Sequence, residues 1–301
     1  MTLHPVRRYC LNHSRRLFNR PSLLCGRDNM IAFIKRYPLV AFFAIAYATF
    51  FGGFALLMAF PGAIPEDLWF LFIWGTALGA LFVVAVTEGW AGVKAWARRI
   101  VRWRVGLIWY AVALGLTPLM RLAAYGLNLA LGAPAPPAEA WGGLAEAPAA
   151  FIFIFLTIGI GEELGFRGYA LPKLMERYSP LVAALILGVL RVIWHVPLFL
   201  AGDSLWVILM VLFGDVIFAW VFVNTRGSVL LALLLHSMFN ASGEIFFPLF
   251  DGAYAEQQTL LLAIVFAAVG TAIAVAAGPK LARRRAEPAD AAPAARPLIA
   301  K

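Results

Sequence analysis

The sequence predicts an all-α, polytopic membrane protein, a bundle of about eight transmembrane helices. Three observations carry that prediction. Of the 301 residues, 62% are hydrophobic and only 14% charged, whereas a soluble domain has roughly a quarter of its residues charged. The apolar runs are long and continuous, without the two-residue alternation of a membrane β-barrel. The Lys and Arg residues of the loops fall on alternate loops only, the pattern that sets topology.

Eight runs are each long enough to cross a hydrocarbon core of ~30 Å. They cover residues 39–60, 68–87, 105–131, 149–166, 180–201, 205–223, 229–250 and 259–277. The third is long and carries Pro118, which predicts a tilt or kink. The fourth is short and ends in polar residues, so Arg167 is expected near the cytoplasmic boundary. Lys35 and Arg36 precede the first run, and Lys94, Arg98, Arg99, Arg102 and Arg104 lie between the second and third. Arg167, Lys173 and Arg177 follow the fourth, Arg226 the sixth, and Lys280 with Arg283, Arg284 and Arg285 the eighth. The intervening loops hold Glu66, Asp67, Glu139, Glu146, Asp203, Asp251 and Glu256 and no base. The expected product is a multi-pass protein of the cell membrane with both termini cytoplasmic.

Three segments follow. Residues 1–29 form a basic N-terminal extension with six arginines, no acid before Asp28 and no apolar signal core. The composition allows an Arg-rich targeting sequence, and the preferred expectation is an over-extended reading frame with Met30 as the natural start. Residues 30–280 are the transmembrane domain, and 281–301 an Ala/Pro-rich cytoplasmic tail expected to be disordered. Both cysteines, Cys10 and Cys25, fall in the extension and provide neither a disulfide framework nor a metal cluster. The net charge of +9 sits beside apolar spans rather than as a stripe on a soluble module, which argues against nucleic acid.

Chemistry is concentrated in three places. The run F-I-F-I-F-L-T-I-G-I-G-E-E-L-G-F-R sets Glu162, Glu163 and Arg167 in an apolar segment. A carboxylate there costs ~2.5–3.5 kcal/mol on insertion scales, so two side by side point to function. Glu163 and Arg167 are four apart and share a helix face, which leaves Glu162 to face a cavity. His195 lies deep in the fifth run, two residues before a helix-bending Pro197. Arg191 shares its face and needs a partner, either Asp215 or one of the two Glu residues; a structural ion pair is the preferred reading. His236 and Asn240, also four apart, project from one face of the seventh run. Glu, His, His and Asn are the residue types that activate water and stabilise an oxyanion. Asp215 and Glu244 read as supporting acids, and Arg121 has no assigned partner. Of two GxxxG motifs, Gly75–Gly79 reads as helix packing, and Gly161–Gly165 frames the Glu pair and allows another helix to approach.

Taken together, E-E-x-x-x-R at Glu162, Glu163 and Arg167, W-H-V-P-L-F at His195, and H-x-x-x-N at His236 and Asn240 resemble the CPBP family. These are the CAAX-processing and bacteriocin-processing intramembrane endopeptidases, also called the abortive-infection family. The resemblance covers residues 30–277, with its motif core at 151–242. It implies a CAAX-protease-like bundle in which Glu162 and His195 hold and activate the attacking water. His236 and Asn240 would stabilise the oxyanion, and Glu163 and Arg167 would orient the site. The family's second motif reads F-x-x-x-H, and here Arg191 stands at the Phe position. The implied substrate is a membrane-embedded or lipidated peptide or protein. Glu162, His195 and His236 also form a plausible zinc set with one position left for water. The H-E-x-x-H helix of metalloproteases is absent, and a metal-free Glu/His-activated water is preferred. Competing functions are a non-catalytic membrane immunity or assembly factor on the same scaffold, and a proton-relay transporter. The lack of internal repeats argues against the transporter.

Overall fold

The computed structural model describes residues 21–62 and 65–282, and those residues form helices without a strand. Helix α1 (Pro21–Arg36) is followed directly by α2 (Pro38–Ala59). A 3₁₀ turn at Glu66–Phe72 leads into α3 (Gly75–Ile100), and α4 covers Leu107–Ala130. The next span, α5, is a composite running Ala138–Met175. Helices α6 (Pro180–Trp194) and α7 (Val196–Leu200) meet at His195. Then come α8 (Val207–Asn224), α9 (Val229–Phe246) and α10 (Gly252–Ala277). Seven of these spans are long and apolar enough to cross a membrane, and Pro180–Trp194 is a shorter apolar helix beside them. The protein is an all-α, multi-pass membrane bundle. The expected segment boundary at residues 29 and 30 falls inside α1, while residues 1–20 and the tail beyond 282 lie outside the described residues.

Two buried clusters fill the bundle. One joins α2, α3, α5 and α6 around Phe42, Phe166, Leu187 and Trp194; the other joins α4, α8, α9 and α10 around Met120, Ile217, Leu235 and Leu262. The basic loops gather at one end. There the Arg102 guanidinium bonds the Arg226 carbonyl, Arg226 bonds the Arg104 carbonyl, and the Ser228 hydroxyl bonds the Arg102 carbonyl. The opposite end is closed by Ala133, Phe246, Leu249 and Phe250.

Three expected boundaries are corrected. The fourth span does not stop at 166 but continues as helix to Met175. Its polar residues are satisfied inside the bundle, so Arg167 is fully buried rather than interfacial. The fifth span is not one helix over 180–201. His195 adopts φ −79°, ψ −4°, and Pro197 supplies no N–H to continue the ladder and crowds the carbonyl four residues earlier. The second span runs past Thr87 to Ile100, turning at Gly89, whose φ of 64° and ψ of −161° need glycine.

The first two corrections bear on the site. Glu162 lies thirteen residues before the end of α5, and His195 fifteen residues after the start of α6. At ~1.5 Å per residue both sit about 20 Å above the same end of the bundle. The depth mismatch that a fourth span ending at 166 would create is absent.

Candidate active site

The Glu pair sits between two π-helical stretches of α5, Phe155–Gly159 and Phe166–Ala170. A π turn breaks the regular ladder and commonly marks a functional position. In a membrane the carbonyls so freed need protein partners, and the segment Trp74–Arg99 supplies them. Trp74 Nε1 bonds the Thr157 carbonyl at 2.9 Å, the Thr76 hydroxyl bonds the Gly161 carbonyl, and Trp96 Nε1 bonds the Leu164 carbonyl at 3.1 Å. The close approach needs small residues: a Cβ on Gly165 would lie 2.7 Å from the Thr76 carbonyl oxygen. The Gly161–Gly165 motif therefore admits α3, whereas Gly75 and Gly79 pack on Thr49 and Ile45 of α2.

From the Glu pair a continuous chain of charged contacts crosses four helices. Glu162 Oε2 accepts from Arg191 Nη2 at 2.7 Å, and Arg191 Nη1 donates to Asp215 Oδ2 at 3.0 Å. Asp215 Oδ1 accepts from Arg167 Nη2 at 2.9 Å, and Arg167 Nη1 donates to Glu163 Oε1 at 2.9 Å. Glu163 Oε1 also accepts from His236 Nδ1 at 2.8 Å. Glu163 and Arg167 have no exposed surface and Asp215 is 1% exposed. The rings of Phe218 and Phe166 lie over the Arg167 and Arg191 guanidiniums at 4.2 and 5.0 Å. Three carboxylates face two guanidiniums, so the ionised network carries one net negative charge.

Both histidines are anchored through Nδ1, and their partners differ. His195 Nδ1 lies 2.7 Å from the Arg191 carbonyl oxygen. A carbonyl only accepts, so Nδ1 carries the proton, and in the neutral imidazole Nε2 keeps its lone pair. His236 Nδ1 donates instead to the Glu163 carboxylate. Glu162, Arg191, His195, His236 and Asn240 all line one cavity of about 1000 Å³; Glu163, Arg167 and Asp215 stand behind its wall.

The compact group of donors able to approach a metal is Glu162, Glu163 and His236, whose nearest atoms lie within 4.8 Å of one another. Among the described residues His195 joins no such group. Glu163 Oε1 already serves Arg167 and His236, and Glu162 Oε2 serves Arg191. A catalytic zinc needs three protein ligands and an open position. The residues fit an ion-pair network better than a preformed zinc shell.

Every site residue singled out in the sequence thus falls in the cavity or directly behind it. The expected Glu163–Arg167 pair is present, and Arg191 takes both of its possible acidic partners rather than one. Sequence reasoning ranked Asp215 as a mere support, although it joins the two arginines. The signal available was one acid in the sixth run and an Arg191 in need of a partner. The aromatic rings over the arginines, and the role of α3 in holding α5, had no readable signal.

Residues 144–242 match the model of a type II CAAX prenyl endopeptidase, Rce1-like, domain. This stretch carries all three motifs and is similar to the CAAX-protease (CPBP) family. A curated relative, CAAX prenyl protease 2 of Methanococcus maripaludis, is 30% identical over 124 residues, covering 37% of this chain and 46% of the relative. The chain thus spans less than half the length of that relative.

Proposed function

We propose that the chain is an intramembrane endopeptidase that hydrolyses a peptide bond of a membrane-embedded or lipidated substrate. The observation that carries this is the convergence of Glu162, His195, His236 and Asn240 on one cavity, each histidine fixed by its Nδ1. The match of the motif-bearing stretch to a CAAX prenyl endopeptidase family model supports the same reading.

In this reading Glu162 and the bare Nε2 of His195 hold the water. Glu162 removes a proton as the water oxygen bonds to the scissile carbonyl carbon. The carbonyl oxygen becomes an oxyanion and accepts from Asn240 and from Nε2–H of His236. To donate there His236 must be an imidazolium, and the network's one net negative charge, at Glu163, balances it. The proton on Glu162 then passes to the departing nitrogen as the C–N bond breaks. Arg191 holds one oxygen of Glu162 and leaves the other for water. No metal is required.

Purified chain acting on a fluorogenic membrane peptide tests the assignment. Asn240→Ala is expected to lose about 10²–10³ in kcat with a small change in KM; turnover close to wild type would remove Asn240 from the oxyanion site. Prolonged chelation is expected to leave activity intact. Activity that leaves with stoichiometric zinc and returns with it would overturn the metal-free reading. The proposed orientation has both termini cytoplasmic, supported by the clustering of the basic loops at one end. A reporter fused after Arg285 should read cytoplasmic, and a periplasmic signal would reverse it.

A further inference from the structure

We propose that Arg121 seats a carboxylate of the bound peptide at the far end of the cavity. This deepens the endopeptidase reading and rests on it. Arg121 belongs to none of the three motifs. It comes from α4, is 2% exposed, and lines the same cavity as Glu162 and His195.

The guanidinium is held in place by neutral groups. Nε donates to the Phe239 carbonyl at 3.2 Å and to Ser242 Oγ at 3.1 Å, and Nη2 donates to the Phe239 carbonyl at 3.0 Å. The rings of Phe239 and Phe247 flank it at 4.7 and 4.6 Å. Gly243 makes room for it, since a Cβ there would lie 3.1 Å from Nη2 and 2.9 Å from the Phe247 ring. Nη1 has no hydrogen bond to the described residues, and no carboxylate among them forms an ion pair with Arg121. The two other buried arginines among the described residues, Arg167 and Arg191, each touch two carboxylates. A buried membrane cation without a counter-ion is a functional feature by default.

The other charges at this end do not cancel it. Glu146, Asp203 and Glu244 line the cavity and are exposed. Glu244 acts on Arg121 from beyond contact distance. Their fields are damped by solvent, whereas that of the buried guanidinium is not. The spacing suits a peptide in the active site. Arg121 reaches α9 at Ser242, six residues past His236, an axial distance of ~9 Å. An extended chain covers that in about three residues. The carboxylate is either a free C-terminus or an acidic side chain of the bound peptide.

Binding to the Glu162→Gln chain in detergent micelles tests this without hydrolysis. The probes are fluorescent hydrophobic decapeptides ending in a free carboxylate, in an amide, or in an amide with Glu third from the end. The free acid, the Glu peptide or both are expected to bind about 10- to 100-fold more tightly than the plain amide. Which of the two does so identifies the source of the carboxylate. Arg121→Gln should abolish the preference, Arg121→Lys should keep part of it, and Glu244→Gln should strengthen it. Equal affinity for all three peptides, or a preference that survives Arg121→Gln, would overturn the seat. The unmutated Arg121 comparison stands even where Arg121→Gln does not fold. A wild-type chain that cleaves nothing sinks the endopeptidase reading and leaves the binding difference to be read. Cleavage without carboxylate preference sinks the seat alone.

Discussion

The two ends of the cavity use buried arginine in opposite ways. At the Glu162 end, Arg167 and Arg191 are each clamped by two carboxylates, and Asp215 joins them across three helices. At the other end Arg121 is buried just as deeply and meets only a carbonyl, a hydroxyl and two rings. Burial alone thus does not decide what an intramembrane charge does. Where its counter-charge comes from the protein, the arginine orders side chains; where none is supplied, the charge stays available to a bound molecule. The first arrangement is self-contained and stiff, and the second is complete only with an occupant.

That difference predicts unequal responses to the same substitution. Arg167→Gln strands Glu163 and Asp215 without water, and removing one partner of a buried ion pair costs about 3–5 kcal/mol. Thermal unfolding in micelles should fall steeply; a loss under about 1 kcal/mol would show that the network does not hold the bundle together. Arg191→Phe, which installs the residue of the related motif, leaves Asp215 its bond to Arg167 but frees Glu162. Misplacement of a reacting group by ~1 Å costs about 10²-fold in rate. The expected result is that kcat falls on that order while KM moves little, with Arg191→Lys recovering part. An equal rise in KM would instead assign Arg191 to substrate binding. Arg121→Gln leaves only neutral acceptors behind, so the unliganded protein should lose about 1 kcal/mol. A loss as large as that of Arg167→Gln would erase the contrast between the two ends.

Much of this architecture is legible in the sequence because the bilayer is a strict solvent. Long apolar runs read directly as helices. The Glu pair, His195 and the His236/Asn240 face were visible because polar residues are rare and costly there. What escaped depended on partners brought from elsewhere in the chain. The end of α5 was misplaced because Glu163 and Arg167 look interfacial until Asp215 and His236 are known to satisfy them. The break at His195 was foreshadowed by Pro197, yet the position of the split followed from the backbone. The two π stretches have no pattern of their own and persist because Trp74, Thr76 and Trp96 take up the carbonyls they release. Arg121 stood in plain view as an unpaired base, and only the cavity gave that fact meaning.

The central claim is that Glu162 moves the proton of the attacking water. Glu162→Gln is the direct test, because the amide oxygen can still accept from Arg191 and preserve the cavity's shape while the base is lost. Cleavage of a fluorogenic membrane peptide by the folded variant should fall by about 10²–10⁴, the range carried by a general base. The thermal midpoint should stay near that of the parent. A folded Glu162→Gln chain that turns over the peptide at close to the parent rate would contradict the account.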